Sequence, residues 1–257
     1  MAELWLQQLL ALFIPNLNFM AKVVGIFGFS GDGKTTSTII NPDGSIDLSP
    51  EGYKGIDPKS HGILNIDQKA LPFPASLTKQ WCSANKNYRE TCDIDTIIKT
   101  LKAWAQDPNI KSCSVDTINS YITFKEMLDR RKMSFDAWRD MAIDVVDLIN
   151  TANVILRDDQ ICYIMGHVEL ITDIDGVDRK ALATSGKKLK KIFPESMLPI
   201  VLFTRIEPGL EGDNKYYFET KANHSSGKTP LGMFKDFLIP NSLKLVDQTI
   251  REYYDMK

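Results

Sequence analysis

Cysteine is scarce in this sequence. Its 257 residues hold four, Cys82, Cys92, Cys113 and Cys162, and no two of them form a C-x-x-C pair. That spacing excludes the clustered ligands of a zinc site and the dense bridges of a secreted disulfide framework, and it points to reduced thiols in a cytosolic protein. Histidine is scarcer still: His61, His167 and His224 suit no metal-ligand spacing. Net charge is almost absent, with 31 Lys and Arg against 33 Asp and Glu and a formal balance of −2. A globally basic nucleic-acid coat is therefore excluded, whereas a local basic patch is not. Long apolar runs are missing too, since none reaches the ~18 residues a membrane span needs. What is present is 43% hydrophobic residues, too many for a disordered chain and enough to bury the core of one α/β domain with decoration or of two small domains.

The first residues stand apart. Leu4 to Ile14 reads LWLQQLLALFI, but Glu3 flanks it, no lysine or arginine precedes Lys22, and Pro15 stops any helix. A signal peptide would need a basic flank and a small-residue cleavage site. Two readings stay open. Residues 1–19 form an apolar arm that docks on the core or on a neighbouring subunit, or the natural start is Met20, because MAKVVGIFG opens directly into a strand. The main domain is expected over residues 20–257.

The sharpest chemical signal follows that strand. Lys22 to Phe27 (KVVGIF) is an apolar, β-branched run, and it leads into Gly28-Phe29-Ser30-Gly31-Asp32-Gly33-Lys34-Thr35, a G-x-x-x-x-G-K-T phosphate loop without mismatch. Gly28, Gly31 and Gly33 tolerate backbone angles other residues resist and bring amide N–H groups close to phosphate oxygens. Ser30, Asp32 and Thr36 complete the cradle. Lys34 supplies a point charge to β- and γ-phosphates, and Thr35 a hydroxyl to Mg²⁺, at the start of a short helix expected over Lys34 to Ile40. Gly227-Lys228-Thr229 imitates the motif's end, but no apolar strand runs into it and position 222 is alanine. A second acid is needed to order the metal. Lys111 to Asp116 (KSCSVD) has the shape of a strand ending in that acid, although Ser112 and Ser114 dilute its apolar run.

The remaining pattern alternates. Gly62–Asp67, Gln160–Met165, Leu198–Thr204 and Lys215–Thr220 read as strands. Asp93–Ala105 and Ser134–Ile155 carry apolar residues at helical spacing, and Asn241 or Ser242 can cap a last helix through Tyr254. Such alternation predicts an α/β fold with a largely parallel sheet, whose ligands sit at the strands' C-terminal edge near Gly28, Asp67, Asp116 and His167. Arg179, Lys180, Lys187, Lys188, Lys190 and Lys191 form a basic segment with no acid among them. It reads either as a phosphate-contacting loop or as the solvated face of an amphipathic helix that turns Leu182, Leu189, Ile192 and Phe193 inward.

Taken together, GFSGDGKTTS at 28–37, LNIDQKALPFP at 64–74, SVDTINSYI at 114–122, PIVLFTRIE at 199–207 and the stretch from 215 to 254 resemble a family of bacteriophage P-loop ATP-binding proteins. These are AAA-family or RecA-like proteins related to phage recombination ATPases of the single-strand-annealing type. The resemblance implies a RecA-like P-loop core with a C-terminal hairpin and helix. It implies binding and hydrolysis of ATP with Mg²⁺, homo-oligomers with nucleotide at the subunit interface, action on single-stranded DNA, and a cytoplasmic place in a bacterial host. RecA-like cores usually have a glutamate after the second strand as hydrolysis base. Here the stretch reads Asn65-Ile66-Asp67-Gln68-Lys69, which leaves three readings open: Asp67 as a base of shorter reach, Gln68 orienting water only, or Glu169 as a rival base just past His167. Lys221 and Lys228, with Arg205 as a further choice, stand where relatives carry lysines that act on a neighbour's γ-phosphate. The basic segment at 179–191 falls where the core places a DNA-contacting loop. Two other classes stay open: a nucleotide-dependent switch or assembly ATPase with a protein partner, and a P-loop small-molecule kinase. The kinase would want an arginine-rich lid, and only Arg130 and Arg131 are adjacent arginines.

Overall fold

The β1 strand (Val23–Gly28) is buried at all six positions. That is why its sequence, VVGIFG, shows no alternation: parallel neighbours flank it on both edges and side chains pack on both faces. It is followed in chain order by β2 (His61–Asn65), α1 (Ala75–Thr78), β3 (Tyr88–Glu90), α2 (Ile94–Gln106), β4 (Ser112–Asp116), α3 (Ile118–Asp129), α4 (Phe135–Ile155), β5 (Ile161–Thr172), β6 (Asp178–Leu182), β7 (Ile200–Glu207), β8 (Lys215–Glu219), β9 (Leu238–Pro240) and α5 (Leu243–Tyr253). The computed structural model describes residues 23–49, 51–129, 135–172, 175–184, 193–209 and 213–256. The apolar segment at residues 1–19, Met20, Lys22, the Arg130–Arg131 pair, and Lys187, Lys188, Lys190 and Lys191 lie outside the described residues.

The strands form one mixed sheet in the order β3-β2-β4-β5-β1-β7-β8-β9. From β3 to β7 along this order all neighbours are parallel, and β8 and β9 close the edge antiparallel. Residues alternate between the two faces. Val23, Phe27, Cys113, Val115, Cys162, Ile164, Val201 and Phe203 point to one core, completed by α2, α3 and α4. Val24, Ile26, Tyr163, Met165, Ile200, Leu202 and Phe218 point to the other, covered by Leu243, Val246 and Ile250 of α5. The molecule is therefore α/β, with a large, mostly parallel sheet between helices.

Helix ends follow local chemistry. The Asp93 carboxylate accepts the Thr96 N–H at 2.9 Å to start α2, and Ser242 Oγ accepts the Leu245 N–H at 3.3 Å to start α5. The helix expected over Lys34–Ile40 is instead a single 3₁₀ turn at Thr36–Thr38. The segment is rich in hydroxyl and β-branched residues, and Ser37 Oγ donates back to the Lys34 carbonyl at 2.5 Å, a bond that competes with helix propagation. The strand expected to stop at Met165 runs on to Thr172. Its inner half pairs with β1 and β4, and its outer half, Val168–Thr172, leaves with β6 as a two-stranded ribbon.

Candidate active site

The glycine loop turns sharply at the C-terminal end of β1. Gly28 has no room for a side chain, because a Cβ there would lie 1.6 Å from Thr204 Oγ1 of β7. Gly33 takes φ +82°, a left-handed backbone that suits only glycine comfortably, with Asn241 and Tyr216 packed against it. Asp32 buckles the loop. Its carboxylate accepts the Phe29 N–H at 3.0 Å and the Thr204 hydroxyl at 2.9 Å, while its carbonyl accepts Asn241 Nδ2 at 3.2 Å. The Asp32 side chain, expected to be part of the cradle, thus fixes the cradle's shape.

Lys34 folds back over this turn. Its ammonium donates to the Gly28 carbonyl at 2.9 Å and the Phe29 carbonyl at 2.7 Å, and lies 3.3 Å from His167 Nδ1. An ammonium has only donors, so Nδ1 must offer its lone pair and the imidazole proton sits on Nε2. Burial lowers the lysine's pKa against the pull of Asp116, Asp32 and Asp67. Burial, then the Lys34 charge, lowers that of His167. The backbone that carries this imidazole is held as well, since Asn119 Oδ1 accepts the main-chain N–H of His167 at 2.6 Å.

Two strand ends bring the acids. Asp116 closes β4, and its Oδ2 accepts the Thr35 hydroxyl at 2.6 Å. Its Oδ1 is buried without a hydrogen-bond partner among the described residues. Burial pushes this carboxyl up to about 6, against the Thr35 hydrogen bond. Asp67 lies two residues beyond β2, and the Ile66 and Asp67 N–H groups both donate to the Asp116 carbonyl, at 2.7 and 3.3 Å. Asp67 Oδ1 accepts from the Thr117 N–H at 3.3 Å, the Thr117 hydroxyl at 2.8 Å and the Ser120 hydroxyl. Burial raises this group, but the Ser120 and Thr117 hydrogen bonds outweigh it and hold the carboxyl below its usual range. Its Oδ2 faces Lys69 Nζ at 3.4 Å.

These groups line one cleft of about 280 Å³, bounded by residues 30–36 on one side and 69–72 on the other, with Asp116, Thr117 and His167 at its base. Ser30, Gly31, Gly33, Lys34, Thr35, Thr36, Asp67 and Asp116 all meet there, as their sequence positions suggest. Glu169 does not. It sits on the ribbon opposite Ala181, and its Oε1 accepts the Thr184 N–H at 3.2 Å. Arg179 and Lys180 lie on β6 away from the cleft. Lys221 and Lys228 are exposed on the segment after β8, which meets β7 at Val201. Arg205 pairs with Glu207 and Glu219 at 3.5 and 3.7 Å. Sequence reasoning missed Asn65, Lys69, Thr117, Asn119 and Ser120. The TINS tetrapeptide directly after Asp116 was the available signal for the last three.

Among the described residues, no three His, Cys, Asp or Glu side chains converge as a metal cluster. A cation here would rest on the Thr35 hydroxyl, the open Asp116 oxygen and oxygens of its ligand or of water, a donor set that fits Mg²⁺. No protein-family model matches the chain, and no curated protein matches it.

Proposed function

We propose that this chain is a Mg²⁺-dependent ATPase with a RecA-like core that works on single-stranded DNA. The observation that carries the reading is the junction of Lys34, Thr35 and Asp116, where the loop after β1 and the end of β4 meet across the inserted strand β5. A strand that leaves the sheet at polar His167, between the loop strand and the acid strand, fits a RecA-like order. Lys34 would exchange the Gly28 and Phe29 carbonyls for β- and γ-phosphate oxygens, while the loop amides hold the α- and β-phosphates. Thr35 and the open oxygen of Asp116 would hold Mg²⁺, which when bound neutralises charge on the phosphates. Asp67 Oδ2 would align the attacking water. That water's oxygen would bond to the γ-phosphorus as its proton passes to Asp67 Oδ2, while the bond to the bridging oxygen breaks and ADP departs with the electron pair.

DNA enters through β6. The ribbon continues β5 beyond His167, and its second strand, β6, carries Arg179 and Lys180, so these basic residues lie on the strand paired with the one that lines the cleft. A switch or assembly ATPase with a protein partner is the second reading. It is favoured by Asp67, whose side chain is shorter than glutamate and whose Oδ1 is fully engaged, which suits slow turnover. A small-molecule kinase draws no support, since no arginine lines the cleft among the described residues.

The test is ATP turnover with Mg²⁺, with and without single-stranded DNA. Wild-type protein should hydrolyse ATP and respond to DNA, and Lys34→Ala should reduce turnover by at least ~100-fold. Turnover that ignores DNA, with no DNA bound at low salt, leaves the switch reading. Protein that neither binds nor hydrolyses ATP overturns both.

A further inference from the structure

Lys34 is not the only cation facing the cleft. Lys69 lines it from the opposite wall, on the segment that follows β2. Its root is fixed: Asn65 Nδ2 donates to the Lys69 carbonyl at 2.7 Å and to Tyr88 Oη at 2.7 Å, tying that backbone to β2 and β3. Its head is free to move, with a side chain 75% exposed. The ammonium rests 3.4 Å from Asp67 Oδ2, the one carboxylate oxygen not held by Thr117 and Ser120. An ion pair this exposed contributes little to stability, so structural need is a poor account of it.

A triphosphate in the cleft would change the balance of charge around this lysine. Its terminal phosphate carries more negative charge than a single carboxylate oxygen, and an ammonium with three donors can leave or share its carboxylate to reach it. The other cations suggested by the sequence are badly placed to do so within one chain. Lys228 pairs with Val201, three residues and thus about 10 Å of strand below Thr204, the residue that meets the loop. Lys221 and Lys228 also do not line the cleft, and among the described residues Lys34 and Lys69 are the lysines that do.

We propose that Lys69 is the γ-phosphate-sensing cation of this site, acting in cis. Without nucleotide it pairs with Asp67. With a triphosphate bound it moves to the terminal phosphate, and the same movement uncovers Asp67 Oδ2 for the attacking water. A diphosphate offers nothing to draw it across, so the Lys69–Asp67 pair re-forms after phosphate leaves. The site thereby distinguishes triphosphate from diphosphate through its own chain. This inference rests on the nucleotide-binding reading above.

The experiment compares wild type with Lys69→Met and Lys69→Arg. Affinities for Mg²⁺ with ADP and with a non-hydrolysable β,γ-imido triphosphate are measured alongside ATP turnover and thermal unfolding. Lys69→Met should weaken the triphosphate analogue by roughly tenfold, leave ADP unchanged and cut turnover by ~10- to 100-fold. Lys69→Arg should recover part of both, and the unfolding temperature should stay put. Equal losses for ADP and the analogue, or no loss for either, overturn the proposal while the nucleotide site stands. Wild-type protein that binds neither nucleotide overturns the site itself, and this proposal with it.

Discussion

His61 is fully buried between β2 and β4, with Nδ1 2.8 Å from Ser112 Oγ and Nε2 3.3 Å from Ser114 Oγ. The two serines that dilute the apolar run before Asp116 are therefore its hydrogen-bond partners. Burial pushes the imidazole down to about 3, from about 6.5 in an unfolded chain. A depressed histidine contributes stability above the unfolded value and loses it as pH falls from there toward the folded one. Wild type should lose about 1.4 kcal/mol per pH unit through this group below ~6.5. Asp116, pushed up to about 6, gains a proton in the folded state over part of that range and opposes the loss, whereas His167 adds to it. Comparison with His61→Gln isolates the single residue. The difference in urea-unfolding free energy between the two proteins should narrow from pH 7 to pH 5, and a constant difference refutes the assignment. At this scale Lys34, Thr35 and Asp116 are legible in the sequence because their chemistry demands fixed residue types. The Asp67 bonds to Thr117 and Ser120, at separations of 50 and 53 residues, leave no such mark.

At the scale of elements, α5 shows how much one cap can hold. Ser242 Oγ accepts the Leu245 N–H and donates to the Ile40 carbonyl at 2.7 Å, so it starts the helix and ties it to the segment behind the glycine loop. Ser242→Ala should cost about 1–2 kcal/mol in denaturant unfolding, since it orphans both groups. A cost below a few tenths would show the cap to be dispensable. This helix was readable because cap and apolar face agree. The helix α3 was not, because Ile118, Tyr121 and Ile122 are buried while Phe124, Met127 and Leu128 on the same helix are exposed, which blurs the stripe. Strands β3 and β9 have three residues each, too few for a period to register. The outward run of β5 was hidden for another reason: past Val168 it leaves the core as half of a ribbon, with Leu170, Ile171 and Thr172 all exposed.

The whole molecule carries a balance of −2, so the DNA binding proposed above would have to come from placement, not total charge. Lys180 is already committed, with Nζ 3.4 Å from Glu219 Oε2, a buried carboxylate it shares with Arg205. Arg179 is the other basic residue of β6. Arg179→Ala should lower the slope of log affinity against log salt for single-stranded DNA by about 0.7. An unchanged slope with DNA still bound removes Arg179 from the interface. The alternating pattern made the parallel α/β class legible, but not the strand order, because β1 lies between β5 and β7, strands distant in sequence. The same distance governs when the glycine loop can take shape. Its buckle joins Asp32 to Thr204 across 172 residues and to Asn241 across 209. A loop that emerges early from the ribosome must therefore wait for nearly the whole domain to be synthesised. On the proposed reading, nucleotide would meet a finished cradle only after the chain through Asn241 has been made.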